Sequence, residues 1–85
     1  MGKHEKLVQK ILSGRQDTSV LFSEAVSLLQ VLGFSLRIKG SHHIFYCEGV
    51  EELINIQPDN SKAKPYQVKQ IRDLMVKYRL EVKNE

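Results

Sequence analysis

The chain has 85 residues, 41% apolar and 27% charged, with a formal charge of +3 at pH 7. That length supports one modest core and excludes a second domain. No apolar run reaches the roughly 20 residues of a membrane helix, no secretory pattern is visible, and a lone cysteine excludes an internal disulfide. A soluble, unprocessed cytoplasmic protein with no membrane association is therefore expected.

From Lys3 to Ser13, Leu7, Val8, Ile11 and Leu12 recur at helical spacing and Gly14 supplies a stop, which predicts a short first helix. Arg15 to Ser19 is polar and loop-like. Ser23 then suits an N-cap with Glu24 in the first turn, opening a second helix. Its apolar face is Val26, Leu29 and Leu32 beside Ala25 and Leu28, and Gly33 ends it. Phe34 to Ile38 alternates apolar and polar as a half-buried strand does.

The next two residues, Gly40 and Ser41, form a hairpin loop in which glycine at the first position suits a type II′ turn. Such a turn sets Lys39 opposite His42 and Ile38 opposite His43. Phe34, Leu36, Ile38, His43, Phe45 and Cys47 then share the core face. Ser35, Arg37, Lys39, His42, Ile44 and Tyr46 share the other. A turn at 48–51 leads into a third strand, Leu53 to Gln57, with Ile54 and Ile56 inward. Pro58 to Ser61 breaks the pattern, and Pro65 starts a last helix that presents Val68, Ile71, Leu74, Met75 and Tyr78 to the core. Helix, helix, three-stranded antiparallel meander, helix is an α+β order in which the helices cover one face of the sheet.

Charge is unevenly spread. Between Lys62 and Arg79 there are six basic residues and one acid, and Arg37 and Lys39 add to a footprint suited to a polyanion. No Cys/His spacing resembles a metal site, so neither metal nor cofactor is expected.

Leu-Gly-Phe at 32–34, Lys-Gly-Ser-His-His at 39–43, a proline after the third strand and a closing basic helix resemble the HicA toxins of bacterial toxin–antitoxin pairs. The resemblance runs over roughly residues 23 to 80. It implies a small double-stranded-RNA-binding-like fold, α-β-β-β-α, here with an extra N-terminal helix. The division expected is residues 1–19 as a helical extension, 20–80 as the core domain and 81–85 as a tail. It further implies an endoribonuclease that cleaves messenger RNA, with a hairpin histidine as catalyst, silenced by a HicB-like antitoxin that covers the site. By position that histidine is His42, with His43 as the rival. Many members carry a second histidine after the third strand, where this chain has Gln57-Pro58-Asp59.

These expectations assign roles residue by residue. His42, on the open face, is the general base toward a ribose 2′-OH; imidazole suits this at neutral pH. His43, the rival, sits on the core side beside Ile38 and Phe45, where a histidine is more often a hydrogen-bonded packing residue than a catalyst. Arg37, Lys39, Ser41 and Tyr46, with Lys62, Lys64 and Lys69 beyond the sheet, are expected to contact RNA. Ile44 and Tyr46 are expected to anchor the antitoxin, since an apolar side chain on an open face invites cover. A non-catalytic RNA-binding module, or a degenerate toxin kept for partner binding, remain alternatives. The sequence leaves oligomeric state open.

Overall fold

The computed structural model describes residues 4–58 and 60–82. Lys3, Asp59 and the end of the expected tail, 83–85, lie outside the described residues. Helix α1 spans Glu5–Ser13, a single 3-10 turn spans Asp17–Ser19, and α2 spans Phe22–Val31. Strands β1 (Ser35–Lys39), β2 (His42–Cys47) and β3 (Val50–Ile56) follow, then α3 (Pro65–Lys77). The sheet is an antiparallel meander in the order β1-β2-β3. This is the α+β arrangement expected, with the α-β-β-β-α order of a double-stranded-RNA-binding-like fold.

The tight loop explains the register. Gly40 sits at φ +62°, the left-handed value that the first position of a type II′ turn requires. Lys39 therefore pairs with His42 and Ile38 with His43, as expected. On the other side of β2, His43 pairs with Ile56, Ile44 with Asn55 and Phe45 with Ile54, and a bulge intervenes before Cys47 meets Val50.

Alternation then sorts the side chains. Phe34, Phe45, Ile54 and Ile56 are buried against Ala25, Leu28, Leu29 and Leu32 of α2 and its end, and against Val68, Ile71, Leu74 and Met75 of α3. Each fully buried aliphatic or aromatic side chain contributes about 1.5–3 kcal/mol of transfer free energy. Ile38 departs from expectation: it has the right parity but is 61% exposed. It lies at the hairpin end of an edge strand, and parity decides a side chain's face, not whether anything covers it.

One further expectation is corrected, and one unassigned residue finds a place. Helix α2 starts two residues earlier than a Ser23 cap requires, so Leu21 is the N-cap. The Glu24 carboxylate accepts the Leu21 N–H at 2.9 Å, which leaves the serine inside the first turn. His4, to which no role attached, is buried, and its Nε2 lies 2.7 Å from Ser27 Oγ.

The first helix is fastened at both ends. Ile11 is fully buried. Beyond it, Arg72 Nη1 of α3 donates to the Ile11 carbonyl at 3.2 Å and to both Asp17 carboxylate oxygens at 2.9 and 3.2 Å. The Asp17 hydrogen bond raises the Arg72 pKa above its usual value. Past α3, Leu80 and Val82 pack against the core, so the expected tail begins on the body of the protein.

Candidate functional site

The open face of the sheet carries its polar side chains in rows across the three strands. One row is Lys39, His42 and Gln57, since Lys39 pairs with His42 and the β2–β3 register continued by one residue brings Gln57 opposite. The next row is Arg37, Ile44 and Asn55. His42 is exposed, at the first residue of the central strand β2.

Two amides hold the imidazole. Asn55 Oδ1 lies 3.3 Å from His42 Nδ1, while Gln57 Nε2 lies 2.8 Å from Nδ1 and 3.0 Å from Nε2. A neutral imidazole has one N–H and one lone pair, and Asn55 Oδ1 can only accept. If Nδ1 carries the proton it donates to Asn55; the Gln57 amide, within reach of both nitrogens and nearer Nδ1, donates to whichever carries the lone pair. In either tautomer one ring nitrogen is a proton acceptor, with an amide donor beside it that an incoming hydroxyl must displace.

His43 faces the other way. It is half-buried, its ring meets Phe22 edge-on at 5.0 Å between centroids, and its Nδ1 is enclosed with no protein partner among the described residues. Arg37 and Lys39 are exposed on the open face. The Arg37 guanidinium lies 5.7 Å from the Tyr46 ring centre, a cation–π contact drawing it toward Tyr46. Lys39 is the cation directly beside His42. Ser41 lies exposed at the loop, and its hydroxyl makes no hydrogen bond among the described residues. Tyr46 is 42% exposed and Ile44 half-buried, both on this face.

The basic cluster divides on inspection. Lys69 pairs with Asp73 at 3.1 Å, Lys77 with Glu52 at 2.7 Å, and Arg72 with Asp17. Lys62 makes an isolated β-bridge with Leu21, and Lys64 is the N-cap of α3, its N–H donating to Gln67 Oε1 at 3.0 Å. Among the described residues, Lys62 and Lys64 have no acidic partner, so the charge free to meet a polyanion is smaller than the count of cations. At the far end of α3, Lys77 and the Tyr78 hydroxyl both bond to the Glu52 carboxylate and hold its pKa down to about 2.

Sequence reasoning missed Asn55 as a neighbour of His42, and treated Gln57 only as a departure from a family pattern. The signal was present. Once Ile54 and Ile56 point inward, Leu53, Asn55 and Gln57 must point outward. No group of three or more potential metal ligands occurs among the described residues, and no helix there is long and apolar enough to cross a membrane.

Neither a curated protein nor a solved structure matches the chain. The family model of the HicA toxin of bacterial toxin–antitoxin systems does match, over residues 22–77. That span begins at the first residue of α2 and ends at the last of α3, taking in the hairpin and both amides around His42. The chain belongs to the HicA toxin family.

Proposed function

We propose that this toxin is a messenger-RNA endonuclease in which His42 is the general base. The observation that carries the reading is the environment of His42: an exposed imidazole held between the side-chain amides of Asn55 and Gln57, with Lys39 opposite it in the ladder. The ring nitrogen with the lone pair takes the proton of a ribose 2′-OH. The 2′-oxygen bonds to the adjacent phosphorus, the bond from phosphorus to the 5′-oxygen breaks, and that oxygen leaves with a proton from water. The products are a 2′,3′-cyclic phosphate and a 5′-hydroxyl. Lys39 and Arg37 neutralise the charge that builds on the phosphate oxygens. General-base help of this kind contributes about 10²–10⁴-fold.

Lys62, Lys64 and Lys69 extend the binding surface along the RNA, and Ser41 and Tyr46 contact it at the hairpin. A HicB-like antitoxin is the partner we assign to the same face, anchored on Ile44 and Tyr46, which blocks RNA without a change of fold. The reading divides the chain into the extension 1–19, the core domain 20–80 and the tail 81–85, acting in the cytoplasm.

The test is cleavage of an RNA in the presence of EDTA. The wild type should cleave, since the nucleophile is the substrate's own hydroxyl. His42→Ala should lose at least about 100-fold, in line with general-base catalysis. His43→Gln should keep most activity and lose thermal stability. The opposite pattern, with His43→Gln dead but stable and His42→Ala active, would transfer the role to His43.

A further inference from the structure

On the side of His42 away from Lys39, the open face of the sheet meets the first turns of α3 across the free edge of β3. Between them lies a cleft of about 340 Å³. Leu53 and Asn55 form one wall, Tyr66, Gln67 and Gln70 the other, and His42 closes one end. Among the described residues no carboxylate, lysine or arginine lines it.

The side chains of this cleft are in an unusual state. Tyr66 is 65% exposed and Leu53 60% exposed, so two large apolar surfaces border the space. Gln67 is almost fully buried, at 1% exposure, yet only its Oε1 is used, accepting the Lys64 N–H. Its amide nitrogen has no partner among the described residues. Gln70 donates through Nε2 to the Leu53 carbonyl at 3.2 Å, which fixes the side chain across the strand edge and leaves Oε1 as an unused acceptor. Asn55 turns its Oδ1 to His42 Nδ1, and its NH₂ has no partner among the described residues.

An aromatic face, an apolar surface, and uncharged donors and acceptors suit one ligand chemistry: a flat heteroaromatic ring with a hydrogen-bonding edge. A phosphate finds no cation here, and an aliphatic ligand would leave the Gln67 amide without a partner. We propose that the cleft is a nucleobase subsite. A base next to the scissile phosphate stacks on Tyr66 and presents its edge to Asn55, Gln67 and Gln70. The adjacency to the scissile phosphate rests on the nuclease reading above; base binding itself does not.

The test uses short single-stranded 2′-O-methyl RNA, which lacks the attacking hydroxyl, and the same backbone without bases. Affinity is measured alongside the side-chain amide NMR signals of Asn55, Gln67 and Gln70. With bases present those signals should shift; on the abasic backbone they should not. Base stacking of this kind contributes a factor of roughly 5 to 150, so Tyr66→Ala should weaken binding at least fivefold. Tyr66→Phe should retain it. Tyr66 is exposed in the first turn of α3, so neither change threatens the fold. Equal binding of the based and abasic strands, or equal affinity of wild type and Tyr66→Ala, overturns the subsite. Should the wild type cleave RNA while Tyr66→Ala binds and cleaves identically, the subsite falls and the nuclease reading stands. Should no RNA be cleaved while the uncleavable strand binds through Tyr66, the subsite stands and the nuclease reading falls.

Discussion

Replacing Arg72 with methionine tests whether the first helix is part of the folded unit. The substitution keeps much of the apolar stem and removes a guanidinium nitrogen that bonds to both Asp17 oxygens and to the Ile11 carbonyl. The two side chains are only 19% and 21% exposed, so water replaces little of what is lost. Hydrogen bonds to charged groups contribute about 1.5–3 kcal/mol, and a carboxylate is left behind half-desolvated. A loss of about 2–3 kcal/mol follows, out of a total stability of about 5–15 kcal/mol. For a domain of this size that corresponds to a fall in Tm of roughly 10–20 °C. Urea denaturation of Arg72→Met, Asp17→Asn and the double variant gives the coupling directly. Lys69→Met serves as control, because the Lys69–Asp73 pair is 65% and 59% exposed and should matter by less than about 0.5 kcal/mol. If Arg72→Met costs no more than that control, the clamp is ornamental and the reasoning fails.

Three other outcomes follow from the geometry. Ile44→Asp should leave the far-UV spectrum and Tm of the isolated protein nearly intact, and weaken the antitoxin complex about 30-fold or more by calorimetry, as loss of an interface anchor does; an unfolded variant with unchanged affinity in the folded fraction would make this face core. RNA affinity should fall with salt at a log–log slope of about −0.7 per phosphate contact, and Lys64→Glu should flatten that slope. A slope near zero would remove the electrostatic footprint. Glu52, held at about 2 against its usual 4.5, gives stability that is complete above pH 4.5 and lost as pH falls toward 2. Thermal melts should show that acid-limb component in the wild type and its absence in Glu52→Gln; identical limbs would refute it.

The hairpin was the most readable part of the chain, because a two-residue loop with glycine first leaves the register no freedom. The pairing inferred from it holds, as do the inward Phe45 and the outward His42. What failed depended on contacts distant in sequence. Ile38 has the parity of a core residue and no helix above it. His4 finds Ser27 across 23 positions, and Arg72 reaches back 55 to Asp17. Local periodicity carries no trace of either pairing. The residues around the imidazole fall between these cases. Asn55 and Gln57 follow from the inward Ile54 and Ile56, whereas Tyr66, Gln67 and Gln70 depend on how α3 lies along the edge of β3.

The two edges of the sheet differ in a way that bears on handling the protein. Gln70 reaches over β3 and occupies the Leu53 carbonyl, while β1 has a neighbour on one side only. An unpaired strand is a template for the same strand in another molecule, and Ile38 stands exposed upon it. Two β1 edges meeting antiparallel would crowd Arg37 and Lys39 of one copy against those of the other, so the pair that we assign to phosphate would also oppose such pairing. Neutralising both cations to probe RNA binding would strip away that protection. A drop in activity in such a variant has to be weighed against its light scattering, because losing the two charges would act on the strand edge as well as on the proposed phosphate contact.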